Sequence, residues 1–211
     1  MRTVYSEDHR LQDGAHELLE GQFMKAHESP SRAEIVIDRV RATKLGEVLE
    51  PQDFGLDPIL KVHDKGLVEF LRNAWAEWAA TGRTFDALPH VWPVPGLGRR
   101  LSDSIDGKLG YYAIDAGTPI TPGTWRAILS SANVALTAQK LVATGEKSVF
   151  ALCRPPGHHA EAGMLVDQRD DINHDHANRC AKNVGILPMG RREVDVRRIG
   201  KCAGGHECYK Q

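Results

Sequence analysis

Apolar residues recur at strand and helix spacings as far as about Met164 and then thin out. Arg2-Thr3-Val4-Tyr5 reads as a first strand. Ser31-Arg32-Ala33-Glu34 has the form of a capping box, in which Ser and Glu side chains satisfy free backbone donors at a helix start. Ile37, Val40 and, more loosely, Ala33 and Ile35 then supply an apolar face through about Leu45. The cleanest amphipathic stripe is Leu67, Phe70, Leu71, Ala74, Trp75 and Trp78, at helical spacing, and it reads as core. Thr121-Pro122 fits an N-cap and first helical position, opening a helix through about Val142 with Trp125, Ile128, Leu129, Ala132 and Leu136 inward. Gly145 ends it, and Ser148-Val149-Phe150-Ala151-Leu152 reads as a buried strand. Strand, helix and strand in that order predict an α/β protein with a doubly wound parallel sheet.

Two segments break the pattern. Residues 82–117 carry Pro89, Pro93, Pro95 and several glycines, too irregular for core and too long for an ordinary connection. Beyond Met164 only one of thirteen aromatic residues remains, Tyr209, and neither periodicity persists. Residues 165–211 therefore read as a disordered or unrelated tail after a domain over 1–164, because they have little surface to bury against the entropy of ordering. The net charge of −1 carries no electrostatic footprint for nucleic acid or membrane. No apolar run approaches the ~20 residues of a membrane helix. The start lacks the basic-then-apolar pattern of a signal peptide. Cys153, Cys180, Cys202 and Cys208 suggest no disulfide framework, so a reducing cytoplasm is the expected location.

Candidate chemistry concentrates in Cys153-Arg154-Pro155-Pro156-Gly157-His158-His159-Ala160, directly after the last strand. Ligands of open α/β sheets bind outside the carboxyl ends of strands. Two histidines at such a turn can take a proton from water and return one to a leaving group. His158 and His159 are the candidate catalytic residues, and which one is the base stays open. Arg154 is suited to tying down loops through its planar donors. His63 reads as a structural or cavity-wall residue, and His9 as either site-lining or surface.

Arg154 through His159 resemble the arginase/deacetylase superfamily, which includes histone deacetylases and bacterial acetylpolyamine amidohydrolases. Supporting pieces are Tyr5-Ser6-Glu7-Asp8-His9, Val62-His63-Asp64 with Phe70-Leu71, Gly110-Tyr111-Tyr112, and Pro119 through Trp125. The last two look like the acetylpolyamine branch. The resemblance implies the N-terminal part of a doubly wound arginase/deacetylase fold, and zinc-dependent removal of acetyl groups from amines, with an acetylpolyamine or acetyl-lysine as substrate. It further implies that residues 82–117 form a dimerising insertion whose acidic residues face a cationic amine. Asp106 holds the matching place and Asp115 is a weaker candidate, since Gly117 stands at the second acidic position.

The resemblance also exposes a gap. After Met164 such proteins continue into a strand ending in Asp-x-Asp-x-His-His, which supplies zinc ligands, with a third ligand and a catalytic Tyr later. Asp170 through His176 has those residue types without a preceding apolar strand. The chain thus resembles a truncated deacetylase with the proton-transfer half of a site, no metal ligands at the family position, and no activity expected as written. Two further readings accompany this one. The chain could be a non-catalytic dimerising fragment, or its tail could be a zinc module built from His174, His176, Cys180, Cys202, His206 and Cys208.

Overall fold

A computed structural model describes residues 1–94, 100–157 and 161–164. His158, His159 and the whole tail, with its candidate zinc ligands, lie outside the described residues.

Three parallel strands make the central sheet: β1 (Arg2–Val4), β4 (Val48–Leu49) and β5 (Val149–Ala151), in the order β4-β1-β5. Thr3 pairs with Val48 on one side and Phe150 on the other, and Val4 with Leu49 and Ala151. Alternate residues of these strands point to opposite faces, and each face is covered by a different helix. Val4, Val149 and Ala151 pack against Val134, Ala138 and Leu141 of α5 (Thr124–Ala143). Tyr5, Val48, Phe150 and Leu152 pack against Ile37 and Val40 of α1 (Ser31–Ala42). A helix on each face and a chain that winds outward from β1 in both directions make the sheet doubly wound, as the sequence pattern predicts.

A third cluster lies beside the sheet. It joins α3 (Lys65–Ala80) to α4 (Ile105–Tyr112) through Leu67, Phe70, Ala74, Trp78, Ile105, Leu109, Tyr112 and Ile120. Phe70 and Tyr112 stack with centroids 4.6 Å apart. The amphipathic stripe of α3 is buried or half-buried as expected. The reading of 82–117 as non-core is corrected: its α4 and Ala87 are core, because Ile105, Leu109 and Tyr112 recur at helical spacing inside a glycine-rich sequence. Gly110 is needed there, since a Cβ would stand 1.6 Å from the Val91 carbonyl oxygen.

Local expectations change in four places. The capping box does not form: Ser31 is already helical, its hydroxyl bonds that of Ser29, and Glu34 pairs with Arg10. Thr121 does not cap α5; it folds into a turn in which its N–H donates to Thr124 Oγ1 at 2.7 Å, and the helix begins at Thr124. The inner face of α5 is Ala127, Ser130, Val134, Thr137 and Ala138 rather than the larger residues one position away, which are half-buried. β5 is half-buried, not buried, because it is the edge strand of the described sheet. A hairpin of β2 (His16–Leu19) and β3 (Gln22–Lys25) was not anticipated. Its two-residue turn, Glu20-Gly21, has positive φ at both positions, the conformation that matches strand twist in tight hairpins. One further short helix, α2 (Asp57–Leu60), precedes α3.

Candidate functional site

The order β4-β1-β5 puts the point where the winding reverses between β1 and β5. Their carboxyl ends lead into Tyr5 through His9 on one side and Cys153 through Gly157 on the other. These two segments are bonded to each other. Arg154 is only 4 % exposed, and its Nη1 donates to the His9 carbonyl oxygen at 2.5 Å. Its Nε donates to Glu28 Oε1 at 2.7 Å, a charge-assisted bond within an ion pair. Glu28 also accepts from Arg32. Ser131 of α5 donates to the Pro155 carbonyl at 3.1 Å, and the Arg154–Pro155 peptide is cis. The loop-tying role read for Arg154 is what the structure shows.

His9 belongs to the same cluster and is buried, so its surface role is set aside. Tyr5 Oη and His9 Nε2 are 2.8 Å apart, with the rings tilted against each other. Burial, then the Arg154 and Arg10 charges, lower the His9 pKa, which favours the neutral ring. The Tyr5 phenol is pushed up to about 12, first by burial and then by Glu7. Sequence reasoning left His9 unassigned because its setting depends on Arg154, a residue 145 positions away.

The chain on the far side of the histidine pair is also anchored. His63 Nδ1 lies 2.8 Å from the Glu161 carbonyl oxygen, and Asp64 N–H donates to Ala162 at 2.7 Å. Gly163 comes so close to Asp64 that a Cβ would sit 2.8 Å from Oδ2. Val62-His63-Asp64 at the start of α3 is therefore a docking point for residues 161–164. This assigns His63 the structural role expected for it.

Asp106 lies apart from these contacts in the first turn of α4. Arg83 grips its carboxylate with two bonds of 2.6 and 3.0 Å, and the bonded guanidinium holds the carboxyl below its usual pKa. Asp115 Oδ1 accepts from Gly117 N–H at 3.0 Å, closing a local turn. Among the described residues no three His, Cys, Asp or Glu side chains are placed to hold a metal.

This is a doubly wound α/β protein in which the loops after β1 and β5 are bridged by the buried Arg154 side chain. The histone deacetylase domain model matches residues 26–165, well over half of the chain, and the chain belongs to that family. It is 60% identical over 165 residues to acetylpolyamine amidohydrolase 2 of Pseudomonas aeruginosa, covering 78% of this chain and 48% of that protein. Acetylpolyamine amidohydrolase 1 of the same organism is 49% identical over 202 residues, covering 93% of this chain and 56% of the relative. The crystal structure of acetylpolyamine aminohydrolase from Burkholderia pseudomallei superposes with a TM-score of 0.72 at 30% identity, covering 79% of this chain and 48% of that one. The chain thus spans about half the length of the curated relatives it matches.

Proposed function

We propose that this chain carries the proton-transfer portion of an acetylpolyamine deacetylase. The observation that carries the reading is the buried Arg154 bridge, which fixes the end of β5 against the His9 backbone immediately before Gly157-His158-His159. One histidine of the pair accepts a proton from the attacking water, and the pair returns a proton to the departing amine as the acetyl C–N bond breaks. Neutral His9 and its Tyr5 partner belong to the wall supporting that loop, not to proton transfer. When bound, zinc would supply Lewis-acid chemistry at the acetyl carbonyl. The 211-residue polypeptide by itself is inactive on this reading, because Asp170 through His176 lacks the preceding apolar strand that presents the ligands in the resembling family.

The reading places the deacetylase-like domain over 1–164 and the protein in the cytoplasm. Asp106 contacts the cationic amine of the substrate. Residues 82–117 form a homodimer contact, supported by the exposure of Phe85, Val91, Trp92, Val94 and Leu101 in that one segment.

The test is a chimera in which residues 1–164 precede the remaining sequence of the 60% identical relative. It should hydrolyse N-acetylputrescine with zinc present, and His158→Ala or His159→Ala should reduce turnover by about 100-fold or more. The 211-residue polypeptide should show no turnover. Hydrolysis that survives both histidine substitutions, or turnover by the unaltered polypeptide, would overturn the proposal.

A further inference from the structure

Asp106 is already occupied by a cation of this chain. Arg83 Nη1 and Nη2 meet Oδ1 and Oδ2 in a planar fork, and the same guanidinium lies 4.0 Å from the centroid of the Trp78 ring. Trp78 is itself fixed: it is buried in the α3–α4 core and donates from Nε1 to the Phe85 carbonyl at 2.6 Å. A bidentate carboxylate contact on one side and an aromatic face on the other give Arg83 a set position. His90 adds a second basic group, with Nε2 3.8 Å from Asp106 Oδ1. The Asp106 side chain remains 26% exposed, so solvent and solutes reach it, but the charge it presents is largely cancelled.

We infer that Arg83 is a specificity-determining residue that sets how strongly this site attracts cationic amines, by competing with them for the Asp106 carboxylate. The inference rests on the assignment of Asp106 as the amine contact. An ammonium group approaching Asp106 either displaces the guanidinium fork or uses the remaining carboxylate lone pairs against the repulsion of Arg83. Both routes weaken binding relative to a free carboxylate. The sequence alone offers Asp106 as an unshielded acid; the fold turns it into half of an ion pair.

The experiment is spermidine binding to the full 211-residue chain, measured by calorimetry at low salt for the wild type, Arg83→Gln, Asp106→Asn and the double variant. Arg83→Met, which keeps an apolar contact for the Trp78 face, guards against a gain or loss caused by disturbing the core. Arg83→Gln and Arg83→Met should each bind spermidine roughly two- to fivefold more tightly, the range expected for a partly exposed ion pair. The gain should shrink as salt rises and vanish when Asp106→Asn is added. If Asp106→Asn weakens binding but neither Arg83 variant strengthens it, the Arg83 inference fails and the Asp106 assignment stands. If Asp106→Asn changes nothing in either background, both fail.

Discussion

Deleting the Glu28 carboxylate while leaving Arg154 in place should be among the most damaging single changes to the described fold. The Arg154 side chain is 3% exposed and Glu28 25%, so in Glu28→Ala the guanidinium remains buried with its counterion gone. Breaking a buried pair from one side typically destabilises by 3–5 kcal/mol. Partial access of water to the Glu28 position argues for the lower end, about 3 kcal/mol. The Arg32 arm of the cluster is exposed and adds no more than about 0.5 kcal/mol. Arg154→Met removes the buried charge itself and loses chiefly the bond to the His9 carbonyl, about 2 kcal/mol. In the double variant no charge is stranded, so its destabilisation should be about 3 kcal/mol rather than the roughly 5 kcal/mol of an additive pair. The assay is urea unfolding followed by tryptophan fluorescence and circular dichroism. Additivity within about 0.5 kcal/mol, or a Glu28→Ala effect below about 1 kcal/mol, would refute the idea that this bridge fixes the loop after β5.

Two further outcomes follow from the packing. Because His9 has a lowered pKa in the fold, the unfolded chain binds its proton first; the stability tied to neutral His9 is fully present above about pH 6.5 and declines as pH falls below that value. His9→Asn should flatten unfolding free energy between about pH 6.5 and 5 relative to the wild type, and an unchanged slope would contradict the assignment. Gly110→Ala should destabilise by about 1–3 kcal/mol through collision with the Val91 carbonyl, although alanine favours helix by about 1 kcal/mol. A rise in melting temperature would show that α4 does not press on residue 91 as described.

Periodic burial was legible in the chain because it is written locally. The Leu67-Phe70-Ala74-Trp78 stripe needs only helical geometry to become one face, and the order of strands and helices fixes the winding of the sheet. The glycine-rich 105–112 helix was hidden because its stability comes from α3 packing against Leu109 and Tyr112, not from intrinsic propensity. The α5 face was displaced by one position for a similar reason: which positions are buried is decided by the strand residues the helix meets, Val4, Val149 and Ala151, and periodicity alone does not name them. Arg154 could be read as a loop anchor because its fork geometry belongs to the residue. Its partners Glu28 and the His9 carbonyl could not, since they are 126 and 145 positions away. Asp106 shows the division most plainly. Its acidity and its place in the insertion are properties of the sequence, whereas its neutralisation by Arg83 over Trp78 exists only once α3 and α4 are side by side, because ion pairing depends on distance in space and not on separation along the chain.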